Sequence, residues 1–252
     1  MKGAAIGPAL PGRLTWRPAA VAEIVPETPR ATSIVLGLPG WPGHRAGQHV
    51  DVRLTAQDRY QAQRSYSIAS APGDGYVVLT VERVRDGDVS SYLASGLRAG
   101  DQLELRGPIG GSFLWDDGAR EPVLLVADGP GIVPFRSMLR HRQAAAGDVA
   151  VRLLYSARSL QDVIYRDELM RLAAYDEVDI RLALTREWPQ TWRGHRGRID
   201  SGLLSEVCWP AGDRPRIFIC GPTPFVETAA STLAAVGLPS GRIKTERFGP
   251  AG

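Results

Sequence analysis

Val123-Leu124-Leu125-Val126-Ala127 runs directly into Asp128-Gly129-Pro130-Gly131-Ile132-Val133-Pro134. The first five residues are apolar without a break, as a strand buried on both faces requires. The glycines mark a tight turn, and a helical stretch follows from about Val133 to Ala146. Strand, glycine turn and helix in that order read as the first unit of a doubly wound parallel sheet. Downstream, the pattern repeats: a strand at Val151 to Tyr155, a helix from Leu160 to Ala174, and a strand at Val178 to Leu184. A strand at Arg216 to Cys220, a helix at Thr223 to Val236 and a last strand at Arg242 to Thr245 complete it.

Upstream the period changes. Val21 to Val25, Ser33 to Leu38, Gln48 to Leu54, Tyr76 to Val84 and Gln102 to Leu105 alternate in short runs. Gly and Pro clusters such as Pro72-Gly73-Asp74-Gly75 separate them. Six or so short strands with turn signals predict an antiparallel barrel or sandwich. A short helix is expected within Ser90 to Gly96, capped by the serines and ended by Gly96. The polar stretch Asp116-Asp117-Gly118 marks the expected boundary, giving a β-barrel domain over 13–117 and an α/β domain over 118–252.

The chain of 252 residues, 44% hydrophobic, is long enough for two small domains with ample core. A net charge of +3 is mild. It reads as an ordinary surface or, more sharply, as an Arg patch for an acidic redox partner. No block of basic residues suggests nucleic acid. The two cysteines, Cys208 and Cys220, cannot supply the four thiolates of an iron–sulfur cluster or structural zinc, and the scattered histidines His44, His49, His141 and His195 lack ligand spacing. No bound metal is expected. His49 lies in a strand pattern and reads as structural. Two cysteines make no disulfide framework, which fits a reducing cytoplasm. Met1 to Pro18 is a poor signal peptide, and no uncharged apolar stretch approaches the roughly 18 residues of a membrane span.

Arg64-Ser65-Tyr66-Ser67-Ile68 ends the barrel half. Arg suits a pyrophosphate through forked hydrogen bonds, a Tyr ring can cover a planar cofactor, and a Ser hydroxyl can donate or accept at a flavin nitrogen. Taken alone, the stretch also fits an ordinary strand with an exposed Arg. Four more motifs follow in order: Asp86-Gly87-Asp88-Val89-Ser90-Ser91, the Asp128 to Pro134 turn, Cys220-Gly221-Pro222-Thr223 and Glu246-Arg247-Phe248-Gly249. With Arg106-Gly107-Pro108-Ile109-Gly110-Gly111 between the first two of these, the set resembles the ferredoxin–NADP⁺ reductase family over roughly residues 16–249. The chain looks like a stand-alone bacterial member without a fused iron–sulfur domain.

The resemblance implies an antiparallel FAD-binding barrel followed by a doubly wound NAD(P)-binding sheet. It implies that Arg64 holds the FAD pyrophosphate, Tyr66 packs on the flavin, and Ser67, beside Ser65, approaches N5. Val81, Glu82 and Arg83 would line the ribityl and phosphate path. Val89, Ser90 and Ser91 would turn backbone N–H groups to phosphate at a helix N-terminus, or Ser90 and Ser91 would simply be a helix cap. Cys220, with Gly221 and Pro222, would meet the nicotinamide, or be a small buried cysteine. Phe248 would shield the flavin, and Glu246 would support proton movement, or pair with Arg247 or Arg242 at the surface.

Ser156 and Arg158 end the second strand of the nucleotide half, where such folds reach the adenosine ribose. With Arg166 from the next helix they favour NADPH over NADH, unless Arg158 is merely solvated. The first loop departs from the family's two glycines, Ser or Thr, and Gly. Asp128 brings a carboxylate near the dinucleotide and Pro130 removes an N–H donor, so weakened nicotinamide binding is expected. Trp188 and Trp192 form a loop with aromatic anchors, read as a cover for the sheet edge or an exposed partner surface. The leading reading is an NAD(P)H-dependent FAD reductase serving a separate acceptor, such as ferredoxin, a haem enzyme or a molybdenum enzyme. The competing ones are an electron-transfer subunit of a larger oxidoreductase, and an FAD-binding protein that has lost nicotinamide use.

Overall fold

The computed structural model describes residues 14–55, 61–84, 87–116, 118, 120–145, 147–175 and 178–249. The first 13 residues of the leader reading, Asp86 of the second motif, the boundary residue Asp117 and the expected helix end Ala146 lie outside the described residues.

Six antiparallel strands form the first sheet: β1 (Trp16–Pro26), β2 (Ala31–Gly37), β3 (His49–Thr55), β4 (Gln61–Ser67), β5 (Val77–Glu82) and β6 (Gln102–Ile109). Their order is β4-β3-β6-β1-β2-β5. The edges meet through an Ile68–Leu79 bridge, with Ala69 N donating to Val78 O at 2.8 Å, so the sheet curls into a barrel. Closure removes the exposed edges that an open sheet would leave. Val21, Ile34, Leu36, Val50, Val52, Leu79 and Leu105 fill the barrel. β5 shows no polar alternation because both faces are covered. Val77, Leu79 and Val81 point into the barrel, and Val78 joins the core shared with the second sheet.

The helix α1 (Asp88–Ser95) begins earlier than the serines suggest. Gly87 is its N-cap, and no side chain caps it. The Ser90 hydroxyl instead donates to Gly87 O and accepts from Val84 N, each at 3.2 Å, folding the preceding loop onto the helix.

The second sheet is parallel throughout, with β7 (Val123–Asp128), β8 (Val151–Ala157), β9 (Val178–Leu184), β10 (His195–Arg196), β11 (Arg216–Pro222) and β12 (Ile243–Phe248) in the order β10-β9-β8-β7-β11-β12. Helices α2 (Val133–Ala144), α3 (Arg166–Tyr175), α4 (Ser201–Val207) and α5 (Thr223–Ala235) cover it. The chain winds outward from β7 to β10 and then returns to β11. Its switch point therefore lies between the carboxyl ends of β7 and β11, where such sheets bind ligands.

The expected helix from Leu160 to Ala174 is broken. A 3-10 turn at Leu160–Asp162 precedes Tyr165, which has φ 61° and opens α3 at Arg166. That left-handed residue sends its buried side chain back to the barrel, where its hydroxyl donates to Thr80. The last strand likewise starts at Ile243, because Arg242 closes a 3-10 turn and reaches Glu121 at 3.4 Å.

The two sheets share one core. Ala31, Ala46, Ala69 and Val78 from the barrel pack with Phe113, Phe135 and Met138. A Cβ at Gly47 would lie 2.0 Å from Phe113 O and 2.7 Å from Met138 Cε, so only glycine lets the barrel approach.

Candidate active site

A cleft of about 580 Å³ opens where the barrel rim meets the switch point. On the barrel side, Arg64, Ser65, Tyr66 and Ser67 of β4, Val81 and Glu82 of β5, and Val89 and Ser90 of α1 line it. On the other side are Cys220 at the end of β11 and Glu246 and Phe248 of β12. Residues separated by some 180 positions thus face one space, which is where a ligand is expected to bind.

β4 lies at the seam where the barrel closes, and its residues are exposed or half-buried. Ser65 Oγ donates to Asp51 Oδ1 at 2.6 Å, and Arg106 closes on Asp51 Oδ2 at 2.6 and 3.1 Å. This buried carboxylate ties β4 to β3 and β6. Arg64 is exposed at the cleft with Nη1 donating to Gln63 O at 2.8 Å. Burial pushes the Tyr66 hydroxyl up to about 12 against the pull of Arg64, so it stays a neutral phenol.

Across the cleft, Cys220 and Glu246 are partners in the β11–β12 register. Burial pushes the Glu246 carboxyl up to about 7. It forms no ion pair among the described residues. Arg247 pairs with Glu227 at 2.7 Å and Arg242 with Glu121, so the surface pairing weighed for Glu246 is corrected: both arginines are taken elsewhere. Burial first, and then the neighbouring Glu246, drive the Cys220 thiol well above its ordinary range, so it is a neutral thiol rather than a thiolate. Gly131 packs against this strand so closely that a Cβ would sit 2.0 Å from Cys220 O.

His49 was readable only as a strand residue, yet it lines the cleft directly opposite Ser67 in the β3–β4 register. Burial lowers its pKa, outweighing Asp51, so the ring is neutral. Cross-strand pairing carries this information, and a single strand's sequence does not. Thr80, Pro130 and Val133 also line the cleft.

The remaining expected residues sit elsewhere. Arg83 is exposed beside the cleft, and Ser91 lies on α1 with its N–H bonded to Gly87 O at 2.9 Å. Gly129 and Gly221 with Pro222 flank the switch point. Ser156 is buried and lies opposite Asp128 in the β7–β8 register, where it draws the Asp128 carboxyl's pKa down. Arg158 is exposed at the end of β8, and its carbonyl accepts from the N–H groups of Arg186 and Glu187 at 2.9 and 3.0 Å. Arg166 does not join it, but lines a separate groove. Asp128 is not simply aimed at a dinucleotide. Burial raises its pKa, and Ser156 and the charge of Arg198 offset that rise only in part. Glu82, raised chiefly by burial, faces Arg30 at 3.8 Å, and Arg30 also binds Asp162 at 2.6 Å. Among the described residues no cluster of three or more His, Cys, Asp or Glu side chains is placed to hold a metal ion. No helix among them is long and apolar enough to cross a membrane.

A closed antiparallel barrel packed on a doubly wound sheet, with one cleft between them, defines the two-domain flavin and nicotinamide oxidoreductases. The family model for the oxidoreductase FAD-binding domain matches residues 34–113, and that for the oxidoreductase NAD-binding domain matches 125–231. The chain is 37% identical over 210 residues to ferredoxin–NADP reductase B of Sorangium cellulosum, covering 81% of this chain and 84% of the relative. It is 34% identical over 209 residues to the glycine betaine monooxygenase reductase subunit of Pseudomonas aeruginosa, covering 82% of this chain but 56% of that protein's length. The flavohem-like FAD/NAD-binding domain of nitric oxide dioxygenase from Vibrio cholerae superimposes with a TM-score of 0.82 at 27% identity, over 93% of this chain and 99% of the domain. The chain belongs to the ferredoxin–NADP⁺ reductase family.

Proposed function

We propose that the chain passes electrons from NADPH, through bound FAD, to a separate acceptor protein. The observation that carries this reading is the meeting of Arg64, Tyr66 and Ser67 with Cys220 and Glu246 around one cleft. The residues fit FAD. Arg64 offers a guanidinium at the mouth, the Gly87 end of α1 offers backbone N–H groups, and the Tyr66 ring and Phe248 offer flat apolar faces. FAD would accept a hydride and release electrons singly.

The protein's own residues would do the rest. Arg64 would hold the pyrophosphate, and Tyr66 and Phe248 would exclude water from the flavin faces. Ser67 would hold a proton-bearing hydroxyl at N5. Glu246, titrating near neutrality, would take or give a proton beside it. Neutral Cys220 would shape the nicotinamide contact without acting as a nucleophile. Arg158 remains the residue for a 2′-phosphate. Ser156 is buried beside Asp128, and Arg166 lines the separate groove, so Arg158 is the exposed group of the three at the end of β8.

The names of two relatives, a ferredoxin–NADP reductase and a monooxygenase reductase subunit, favour ferredoxin or an oxygenase partner over a haem or molybdenum enzyme. They also keep the subunit reading in play, with copurification at fixed stoichiometry as its mark. The domain division at 116–118 and a cytoplasmic location belong to the same proposal. The latter is supported by two free cysteines. Anaerobic mixing of the FAD-loaded protein with NADPH or NADH tests the core of it: bleaching by NADPH supports it, and no bleaching by either cofactor rejects it. Arg158→Ala should weaken NADPH about ten-fold, the worth of one hydrogen bond to a charged group, and leave NADH nearly unchanged.

A further inference from the structure

Two features of the sequence take no part in the flavin cleft: Arg166 and the tryptophan loop. They meet in a second groove of about 580 Å³, as large as the first. It lies along the open edge of the parallel sheet. β10 pairs with β9 only at Ala183 and Leu184, so among the described residues no strand pairs with the outer edge of β9 before Ala183. The side chains of Ile180 and Leu182 line the groove there, with α3 on one side and α4 on the other. Met170 on α3 is 62% exposed at its rim.

Trp192 makes a fixed wall. Its Nε1 donates to His195 O at 3.1 Å. Its ring lies over Gly194, where a Cβ would fall 2.4 Å from the indole. Trp188, by contrast, stays 41% exposed outside the groove. The charged groups are unevenly satisfied. Arg181 is held by Glu206 at 2.5 Å and Asp179 at 3.3 Å. Arg166 has only its exposed neighbour Asp167 at 3.5 Å, and Arg193 has no ion pair among the described residues. Apolar walls with two spare guanidinium groups suit an apolar body that carries one anionic head.

We propose that this groove binds a small amphipathic carboxylate, its chain along Ile180, Leu182 and Trp192 and its head on Arg166 and Arg193. Arg166 directly follows Tyr165, whose hydroxyl reaches the cleft residue Thr80, so an occupant would sit one residue from the contact between the domains.

Calorimetric titration of the FAD-loaded protein with decanoate is the test. The expected result is a single saturable site. The paired change Arg166→Ala with Arg193→Ala should weaken it about ten-fold or more. Ala173→Trp, which fills the groove from an exposed helix position, should abolish it while the flavin spectrum stays that of the wild type. No saturable binding at millimolar decanoate, or binding that both variants leave unchanged, would overturn the proposal. Displacement of decanoate by NADPH would overturn it too, since the groove would then belong to the nicotinamide site.

Discussion

On the barrel side of the cleft, β4 presents Arg64, Ser65, Tyr66 and Ser67 from the barrel's seam, where its residues are exposed or half-buried. On the opposite side, β11 and β12 deliver Cys220 and Glu246 from a parallel sheet, with burial shifting both groups toward their neutral forms. The barrel wall presents the exposed Arg64 at the cleft. The nucleotide wall works by withholding solvent, so its chemistry is set by packing before any ligand arrives. Substitutions should therefore fail differently on the two sides.

The largest effect is expected on the packed wall. Gly131→Ala places a methyl group 2.0 Å from Cys220 O and 2.6 Å from its carbonyl carbon, both backbone atoms that cannot rotate aside. Overpacking ordinarily costs about 1–3 kcal/mol, and a backbone clash belongs at or above the upper end. That corresponds to a fall in Tm of roughly 10 °C for a chain of this size. Calorimetry would measure it, and a variant melting like the wild type would remove the argument that the switch point is sterically locked.

Glu246→Gln is next. The carboxyl's pKa rises from 4.5 unfolded to about 7 folded, so the folded chain binds this proton more tightly than the unfolded one. Its stabilising contribution is full below about pH 4.5 and is lost as the pH rises through 7. The wild type should lose on the order of 3 kcal/mol relative to the Gln variant across that window. Denaturation midpoints of both proteins from pH 4 to 8 would check it. Parallel curves would mean that solvent reaches Glu246 and that the packed wall does not tune it.

Arg64→Ala, on the solvated wall, should leave the Tm of the apoprotein nearly unchanged and reduce FAD affinity. A charge-assisted bond is worth about 1.5–3 kcal/mol, hence about ten- to a hundred-fold. Flavin fluorescence on dilution reads it. A large loss of apoprotein stability instead would blur the contrast between the walls.

How much of this the sequence discloses follows the same division. The apolar run at β7 announces its buried strand, because burial on both faces leaves no polar position to mask it. The strand-and-helix alternation after it yields the sheet class, and the ordered motifs point to the family. Residues whose roles depend on register are hidden. His49 faces Ser67 only through the pairing of β3 with β4, and Ser156 meets Asp128 only because β8 lies beside β7. Arg166 opens α3 rather than lying inside a longer helix because Tyr165 takes a left-handed turn that a helical period does not reveal. The two-residue β10 and the short α4 are also missed, although Asp200 caps α4 by accepting from Leu203 N at 2.8 Å.

The smallest predicted effect concerns the residue where sequence and structure pull hardest against each other. From the loop's sequence alone, Asp128 is expected to repel a dinucleotide. In place, its carboxyl lies opposite Ser156, with Ser156 and the exposed Arg198 lowering its pKa against burial, and it adds to the charge felt by Glu82. Asp128→Asn keeps the shape and removes the charge. Arg198 then loses its counter-charge and becomes available to a phosphate, and Glu82 loses a like-charged neighbour. Both changes favour an anion, so NADPH binding should tighten. The gain should stay within about 1 kcal/mol, because Arg198 is screened by solvent. It should also shrink with added salt, since the interaction is exposed. Titrating NADPH at low and high ionic strength would show it. Weaker binding in the Asn variant, independent of salt, would mean that Asp128 acts by anchoring the glycine turn through Ser156, and the repulsion would then have no part in how this wall meets its ligand.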